Sequence, residues 1–252
     1  MRDYKTETEK RVKYIQHMLS SSGAKGIVYG NSGGKDAALT GILCKLACED
    51  TLGLILPCGS NQNYGPDKDD ANALSKQFEI DVRIIDLKKT QDALISALKS
   101  SGQELGAMEL SPAAITNIAP RLRMTTLYAV AAAEGRLVAG TGNKSERYMG
   151  YFTKWGDGAF DFNPISDLTV TEIYEFLEHL NAPGSIIDKA PSAGLFDGQT
   201  DEMEMGVTYK SIDDYLLYGS CADDDLKIIS RYHNVSEHKR VMPSTYESFA
   251  AG

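Results

Sequence analysis

No stretch of this sequence is apolar for long enough to cross a bilayer, and its first residues lack the apolar core of a secretory leader. Membrane and export roles are therefore set aside, and a cytoplasmic location is expected. Cysteine is sparse: Cys44, Cys48, Cys58 and Cys221 make no CxxC pair, and no histidine cluster stands beside them. That spacing excludes a disulfide framework or a zinc ribbon and leaves reduced, buried thiols. Positive charge is in deficit, with 26 Lys and Arg against 35 Asp and Glu for a net charge of −9. A general nucleic-acid surface is excluded, because such binding sums Lys and Arg contacts to phosphate. Internal repeats and low-complexity tracts are missing too. What remains is a 252-residue chain, 42% hydrophobic, with enough apolar side chains for one sizeable core. A single domain over residues 1–252 is expected.

The chain is organised around Gly26-Ile27-Val28-Tyr29-Gly30-Asn31-Ser32-Gly33-Gly34-Lys35-Asp36-Ala37-Ala38. This reads as a short apolar strand, a polar glycine turn and the start of a helix, whose apolar face continues at Leu39, Ile42, Leu43, Leu46 and Ala47. Two adjacent residues without Cβ let backbone N–H groups approach a ligand, and the helix offers its positive end, so phosphate is the natural guest. Asp36, in the first helical turn, can hold a metal ion against those phosphates. Two common phosphate motifs fail. Walker A would need glycine where Tyr29 stands and a hydroxyl where Asp36 stands, and the dinucleotide fingerprint is broken at Ser32. Ser-Gly-Gly-x-Asp after a strand instead resembles the pyrophosphate-binding loop of the N-type ATP pyrophosphatases, which split ATP between its α and β phosphates.

Along the chain, the spacing predicts an amphipathic helix over Thr6–Ser20, a strand over Leu52–Pro57, a helix over Asp67–Phe78, a strand over Val82–Leu87 and a helix over Thr90–Lys99. A polar connection follows from Ser100 to Pro112, then a helix over Ile118–Ala133 and a strand over Leu137–Thr141 that runs into a second glycine turn, Gly142-Asn143-Lys144-Ser145-Glu146. Alternating strands and helices imply an α/β fold with a doubly wound, mostly parallel sheet. Ligands of such sheets lie beyond the C-terminal strand ends, where both glycine turns sit. From Thr169 onward the pattern is mostly helical, interrupted by a loop over Ala182–Gly206, and Asp223-Asp224-Asp225 reads as a solvated helix start.

Further motifs follow in order: Asn117-Ile118-Ala119-Pro120-Arg121-Leu122-Arg123-Met124, Gly140-Thr141-Gly142-Asn143-Lys144-Ser145-Glu146, Gly150-Tyr151-Phe152-Thr153-Lys154-Trp155-Gly156-Asp157-Gly158 and Glu237-His238-Lys239-Arg240. Over nearly the whole chain this resembles the ammonia-dependent NAD⁺ synthetase family. The resemblance implies an adenine-nucleotide-hydrolase-like (Rossmann-like) fold with C-terminal helices, a homodimer, and conversion of deamido-NAD⁺, ATP and ammonia to NAD⁺, AMP and pyrophosphate. By the same resemblance Gly30, Asn31, Ser32, Gly33, Gly34, Lys35, Asp36, Ala37, Thr141 and Ser192 correspond to ATP positions, and Arg121, Lys154, Asp161, His238 and Lys239 to positions for deamido-NAD⁺. Asp36 and Glu146, on the two turns, are the carboxylates expected to hold Mg²⁺, a hard cation that shares phosphate oxygens. Asp36, Lys154 and Asp157 are the expected catalytic groups. Asp157 or Asp161, beside Lys154, is a candidate base for removing the proton of ammonium.

The chemistry suits these residue types. A carboxylate is a poor acyl donor until it is joined to AMP, and the departing pyrophosphate needs its charge neutralised. Taken singly, Arg121 also reads as a surface charge and His238-Lys239 as a solvated tail. Two positions depart from the family pattern: Ala37 stands where serine is usual, and Val170 where many relatives carry a lysine assigned to ATP, so Val170 is left out of the site. Another ATP pyrophosphatase-type amidating enzyme, or a nucleotide-binding regulator with impaired catalysis, stays open as an alternative. With synthetase motifs from Ser32 to Lys239, no segment is left for an amidase domain, so free ammonia is the expected nitrogen donor.

Overall fold

The computed structural model describes residues 2–59, 61–101, 108–189 and 200–246. Four strands, β1 (Gly26–Gly30), β2 (Thr51–Ile55), β3 (Asp81–Ile84) and β4 (Arg136–Ala139), pair in parallel in the order β3-β2-β1-β4. Parallel neighbours need crossovers, and helices supply them. Helix α1 (Tyr4–Ser22) leads in, α2 (Lys35–Ala47) joins β1 to β2, and α3 (Asn61–Tyr64) with α4 (Pro66–Gln77) joins β2 to β3. The return to β4 runs through α5 (Lys88–Ser100), α6 (Pro112–Thr116) and α7 (Ile118–Glu134). Beyond β4 come α8 (Lys144–Met149), α9 (Val170–His179), α10 (Gly184–Ile187), α11 (Asp201–Met205), α12 (Tyr209–Tyr218), α13 (Asp223–Val235) and α14 (Glu237–Arg240). The chain moves outward from β1 to β3, then comes back to the other side of β1. The winding therefore reverses between β1 and β4, which opens a crevice at their C-terminal ends.

Successive strand residues point to opposite faces, and each face has its own core. Ile27 and Tyr29 pack with Ile15 of α1, Leu39, Ile42 and Leu43 of α2, and Ile173 and Phe176 of α9. On the opposite face Val28, Leu52 and Leu54 meet Ala119 and Ala131 of α7. A third cluster joins Met149 of α8 to Ile212 of α12 and Ile229 of α13. The α/β fold with a parallel sheet and helices beyond it is as the sequence predicts.

Differences are local. The strand expected over Val82–Leu87 ends its ladder at Ile84, although the N–H groups of Ile85 and Leu87 still donate to the carbonyls of Ile55 and Pro57 at 3.0 and 2.9 Å. Helix α6 falls after the expected polar connection: Ser111 caps it by accepting from the N–H of Ala114 at 3.2 Å, and Pro112 opens its first turn. Short helices α10 and α11 lie inside the stretch expected as one loop; between them, 190–199 lies outside the described residues. All four cysteines are free thiols as expected, but only Cys44 and Cys58 are buried; Cys48 and Cys221 are partly exposed. No helix among the described residues is long and apolar enough to cross a membrane.

Among the described residues, three buried side-chain polar atoms lack a hydrogen-bond partner, Arg11 Nε, Asn31 Oδ1 and the Tyr29 hydroxyl, and the last lies in the first core. The Tyr29 ring is fully buried, and its hydroxyl has no hydrogen-bond partner among the described residues. A Cβ on Gly41 would stand 2.3 Å from that hydroxyl, so α2 needs glycine there to admit the ring. An unpaired buried hydroxyl costs about 1–3 kcal/mol. Tyr29→Phe is therefore expected to leave urea stability unchanged or raise it by about 1 kcal/mol or more; a loss of stability on urea unfolding would show that the hydroxyl is satisfied.

Candidate functional site

The glycine turn after β1 is held from behind by α4. Asn31 is buried, and its side-chain amide donates to the carbonyl of Ala71 at 3.2 Å and to Ser75 Oγ at 3.0 Å. Gly33 takes φ of 73°, and a Cβ there would lie 2.1 Å from the carbonyl oxygen of Asp67. Both the conformation and the close approach demand glycine. Gly34 is the N-cap of α2, and no side chain caps that helix. The first N–H groups of α2 are thus left to a ligand, at the positive end of the helix.

Opposite stands the second turn. Asn143 is fully buried and forms a capping box at α8: its N–H donates to Glu146 Oε2 at 3.1 Å, and the N–H of Glu146 donates to Asn143 Oδ1 at 2.9 Å. The remaining amide N–H of Asn143 donates to Asp36 Oδ1 at 3.0 Å. One asparagine therefore ties together the carboxylates of both turns. Lys35 supplies a cation, its Nζ 2.7 Å from Asp36 Oδ2. Burial and the neighbouring Asp36 charge push the Glu146 carboxyl well above the usual carboxylate range, against the pull of Lys35. Burial opposes the charge of Lys35, but Asp36 and Glu146 outweigh it and hold the ammonium above its ordinary value.

Both turns open into one cavity of about 730 Å³. Its wall runs from Gly30, Ser32 and Asp36 past Leu56 and Thr141 to Phe152, Thr153, Asp157 and Lys239. Asp157 lines this cavity and stays open to solvent; desolvation by the neighbouring protein raises its carboxyl, against the N–H of Thr153 at 3.0 Å and the charges of Arg123 and Lys239. Lys239 donates from Nζ to the carbonyls of Gly150 and Phe152, each at 2.8 Å. Arg123 also lines the cavity, donating to the Leu56 carbonyl at 3.1 Å and to Asn63 Oδ1 at 2.8 Å.

Other expected residues lie off the cavity wall. Arg121 donates to the carbonyl of Lys154 at 3.4 Å, and Lys154 to the carbonyl of His238 at 2.6 Å, so these three form one chain of contacts on the outer side of α7 and α14. Trp155, beside them, is 53% exposed with φ of 61°. Asp161 is engaged with the backbone: its Oδ2 accepts from the N–H of Val138 at 2.7 Å and its Oδ1 from the Tyr128 hydroxyl at 3.2 Å. Ser192 falls outside the described residues.

A sequence model of the NAD synthase family matches residues 7–244. The chain belongs to the NAD synthase family. An NH₃-dependent NAD⁺ synthetase of Carboxydothermus hydrogenoformans is 44% identical over 242 residues, covering 96% of this chain and 97% of that protein. Among solved structures, an NMN synthetase from Francisella tularensis superposes with a TM-score of 0.90 at 38% identity, covering 97% of this chain and 99% of that one. An NH₃-dependent NAD synthetase from Campylobacter jejuni, in complex with the nitrate ion, gives 0.77 at 30% identity, covering 97% and 99%. Family membership and the ligase class expected from the sequence agree with these relatives.

Among the described residues no group of three or more His, Cys, Asp or Glu side chains is arranged to hold an ion by itself. Asp36 and Glu146, joined through Asn143, still make a hard-oxygen pair in which two negative charges crowd each other. That donor set fits Mg²⁺, which is ordinarily bound by one or two carboxylates and completed by phosphate oxygens and water. Sequence reasoning missed Asn143 and Arg123 as site residues. The spacing Asn143-x-x-Glu146 is a capping-box signal that points to the first; Arg123 carries no local signal. Asn143→Ala removes the cap and the tie to Asp36, and is expected to lower urea stability by about 1 kcal/mol and to depress kcat more than it changes KM. An unaltered kcat would show that the two carboxylates keep their spacing without it.

Proposed function

We propose that this chain amidates the carboxylate of deamido-NAD⁺ with ammonia at the expense of ATP, through an acyl-adenylate, as the names of its relatives suggest. The observation that carries it is the convergence of an uncapped helix N-terminus behind a Gly-Gly turn and an Asp36–Asn143–Glu146 triad on one cavity. Gly30, Asn31, Ser32, Gly33, Gly34, Lys35, Asp36, Ala37 and Thr141 would receive ATP, its phosphates along the N–H groups of α2, with Ser192 joining from outside the described residues. Asp36 and Glu146 would hold Mg²⁺, which when bound neutralises charge on the departing pyrophosphate.

The substrate carboxylate attacks the α-phosphorus and pyrophosphate leaves; ammonia then attacks the acyl carbon, AMP leaves, and the nitrogen gives up a proton. Asp157 suits that last role, since its raised carboxyl lies on the cavity wall. Lys239 on the wall and Arg121, Lys154 and His238 outside it are the basic residues for the dinucleotide, whose pyrophosphate and carboxylate are anionic. Asp161, already engaged with Val138 and Tyr128, would join them through a lone pair left on its carboxylate. The proposal takes the chain as one cytoplasmic synthetase domain that pairs as a two-fold dimer. The exposed Ile84 of β3 and Leu94 of α5 fit burial against a second copy.

A second reading has a specific observation behind it. The higher TM-score belongs to an NMN synthetase, which makes nicotinate mononucleotide an alternative acceptor at the same site. Purified chain with ATP, Mg²⁺ and ammonium, offered deamido-NAD⁺ or nicotinate mononucleotide and assayed for amide product and AMP, decides between them; a glutamine arm tests the nitrogen donor. Amidation of neither acceptor would end the proposal.

Asp36→Asn and Glu146→Gln are each expected to lower kcat by about 10²–10³ while circular dichroism shows the fold retained. Near-normal turnover in both would remove them from the metal role. Sedimentation velocity at micromolar concentration is expected to show a dimer, and a stable monomer there would refute that part.

A further inference from the structure

In Gly33-Gly34-Lys35-Asp36 a cation immediately precedes the carboxylate, and it is turned inward. The Lys35 side chain is 6% exposed, with its ammonium 2.7 Å from Asp36 Oδ2. It lies 5.5 Å from the centroid of the Tyr209 ring, and the Tyr209 hydroxyl is fixed by donating to Asp201 Oδ2 at 3.0 Å. Burying an ammonium is costly unless it is paired, and a lysine at a cavity wall has a flexible stem that lets it face solvent. Here it faces the carboxylates.

The consequence concerns what Asp36 has left to offer. Its Oδ1 accepts from Asn143 and its Oδ2 from Lys35. Each oxygen keeps a second lone pair, but a divalent ion approaching Asp36 meets the Lys35 ammonium 2.7 Å from Oδ2 and gains the full charge of the carboxylate only if that cation moves away. Asn143 is locked by the capping box with Glu146, whereas Lys35 sits on a four-carbon stem with rotatable bonds. Lysine is also a good point-charge partner for phosphate, and Lys35 lines the same cavity as the N–H groups of α2.

We propose that Lys35 is a tethered counter-ion that keeps the Asp36–Glu146 pair closed to free divalent metal and releases it when a triphosphate arrives to accept the ammonium. Metal and nucleotide then bind as coupled ligands, each favouring the other. This rests on Asp36 and Glu146 being the metal pair of the proposed function.

The test is Mn²⁺ titration of the full, nucleotide-free chain, with free Mn²⁺ followed by electron paramagnetic resonance. Lys35→Met keeps the length and apolar stem without the charge, and Lys35→Gln is a polar, neutral second variant. Both are expected to bind Mn²⁺ about tenfold more tightly than the parent, within the usual range of coupled sites. Adding Glu146→Gln is expected to abolish the gain. Mn²⁺ is also expected to raise the Tm of the lysine variants more than that of the parent. Equal or weaker Mn²⁺ affinity in the variants overturns the proposal, as does a gain that survives Glu146→Gln, because the ion then sits elsewhere. A variant too unstable to titrate is judged by whether Mn²⁺ restores its melting transition, and failure to restore it counts against the proposal. Intact turnover in Asp36→Asn and Glu146→Gln would instead bring down the metal assignment. Lost turnover there, with no Mn²⁺ gain in the Lys35 variants, would bring down the counter-ion alone.

Discussion

Asn143 donates from its amide to Asp36 across 107 residues of chain while closing a capping box with Glu146, so the spacing of the two carboxylates depends on one buried side chain. An amide is suited to this because it donates and accepts at once: its N–H₂ serves Asp36 and its carbonyl caps α8. A hydrophobic residue of the same size would leave the N–H of Glu146 and Oδ1 of Asp36 without these bonds. The site is therefore built on a fixed distance between two turns rather than on either turn alone.

That distance has a foundation in the sheet. β1 and β4 are hydrogen-bonded neighbours, with Val28 opposite Val138 and Tyr29 opposite Ala139. The turns that leave their C-terminal ends are thus side by side. Behind the first turn, Gly33 lies against the Asp67 carbonyl and Asn31 is bonded to α4. The glycine turn is held by this close backbone approach and by the Asn31 amide, which keeps its N–H groups aimed without help from a ligand. Pre-set donors of this kind cost no reorganisation when charge develops on a leaving group.

Much of this was legible in the residues. Strand, Gly-Gly turn and helix over Gly26–Ala47 lie where periodicity and glycine place them, and the alternation of strands and helices was enough for a parallel sheet. Element ends were less legible, as at β3, because the ladder stops according to what the neighbouring strand offers. Arg123 was invisible as a site residue: a basic residue on a helix has no local mark of facing a cavity. The deamido-NAD⁺ positions were named by resemblance, and the fold divides them between the cavity wall and the outer side of α7 and α14.

The sequence by itself determined the class of chemistry, because a loop that bares backbone N–H groups depends on which residues lack a Cβ, and that is a property of local covalent structure. It also determined family membership, since the motifs are read in order along the chain. Only the tertiary structure decided that Asp36 and Glu146 share one asparagine, that Lys35 turns inward onto Asp36, and that Asp157 and Lys239 face the same cavity as the first glycine turn. Those are relations between segments far apart in the chain, and they exist only once a parallel sheet has brought β1 and β4 together and the helices have closed over its C-terminal edge.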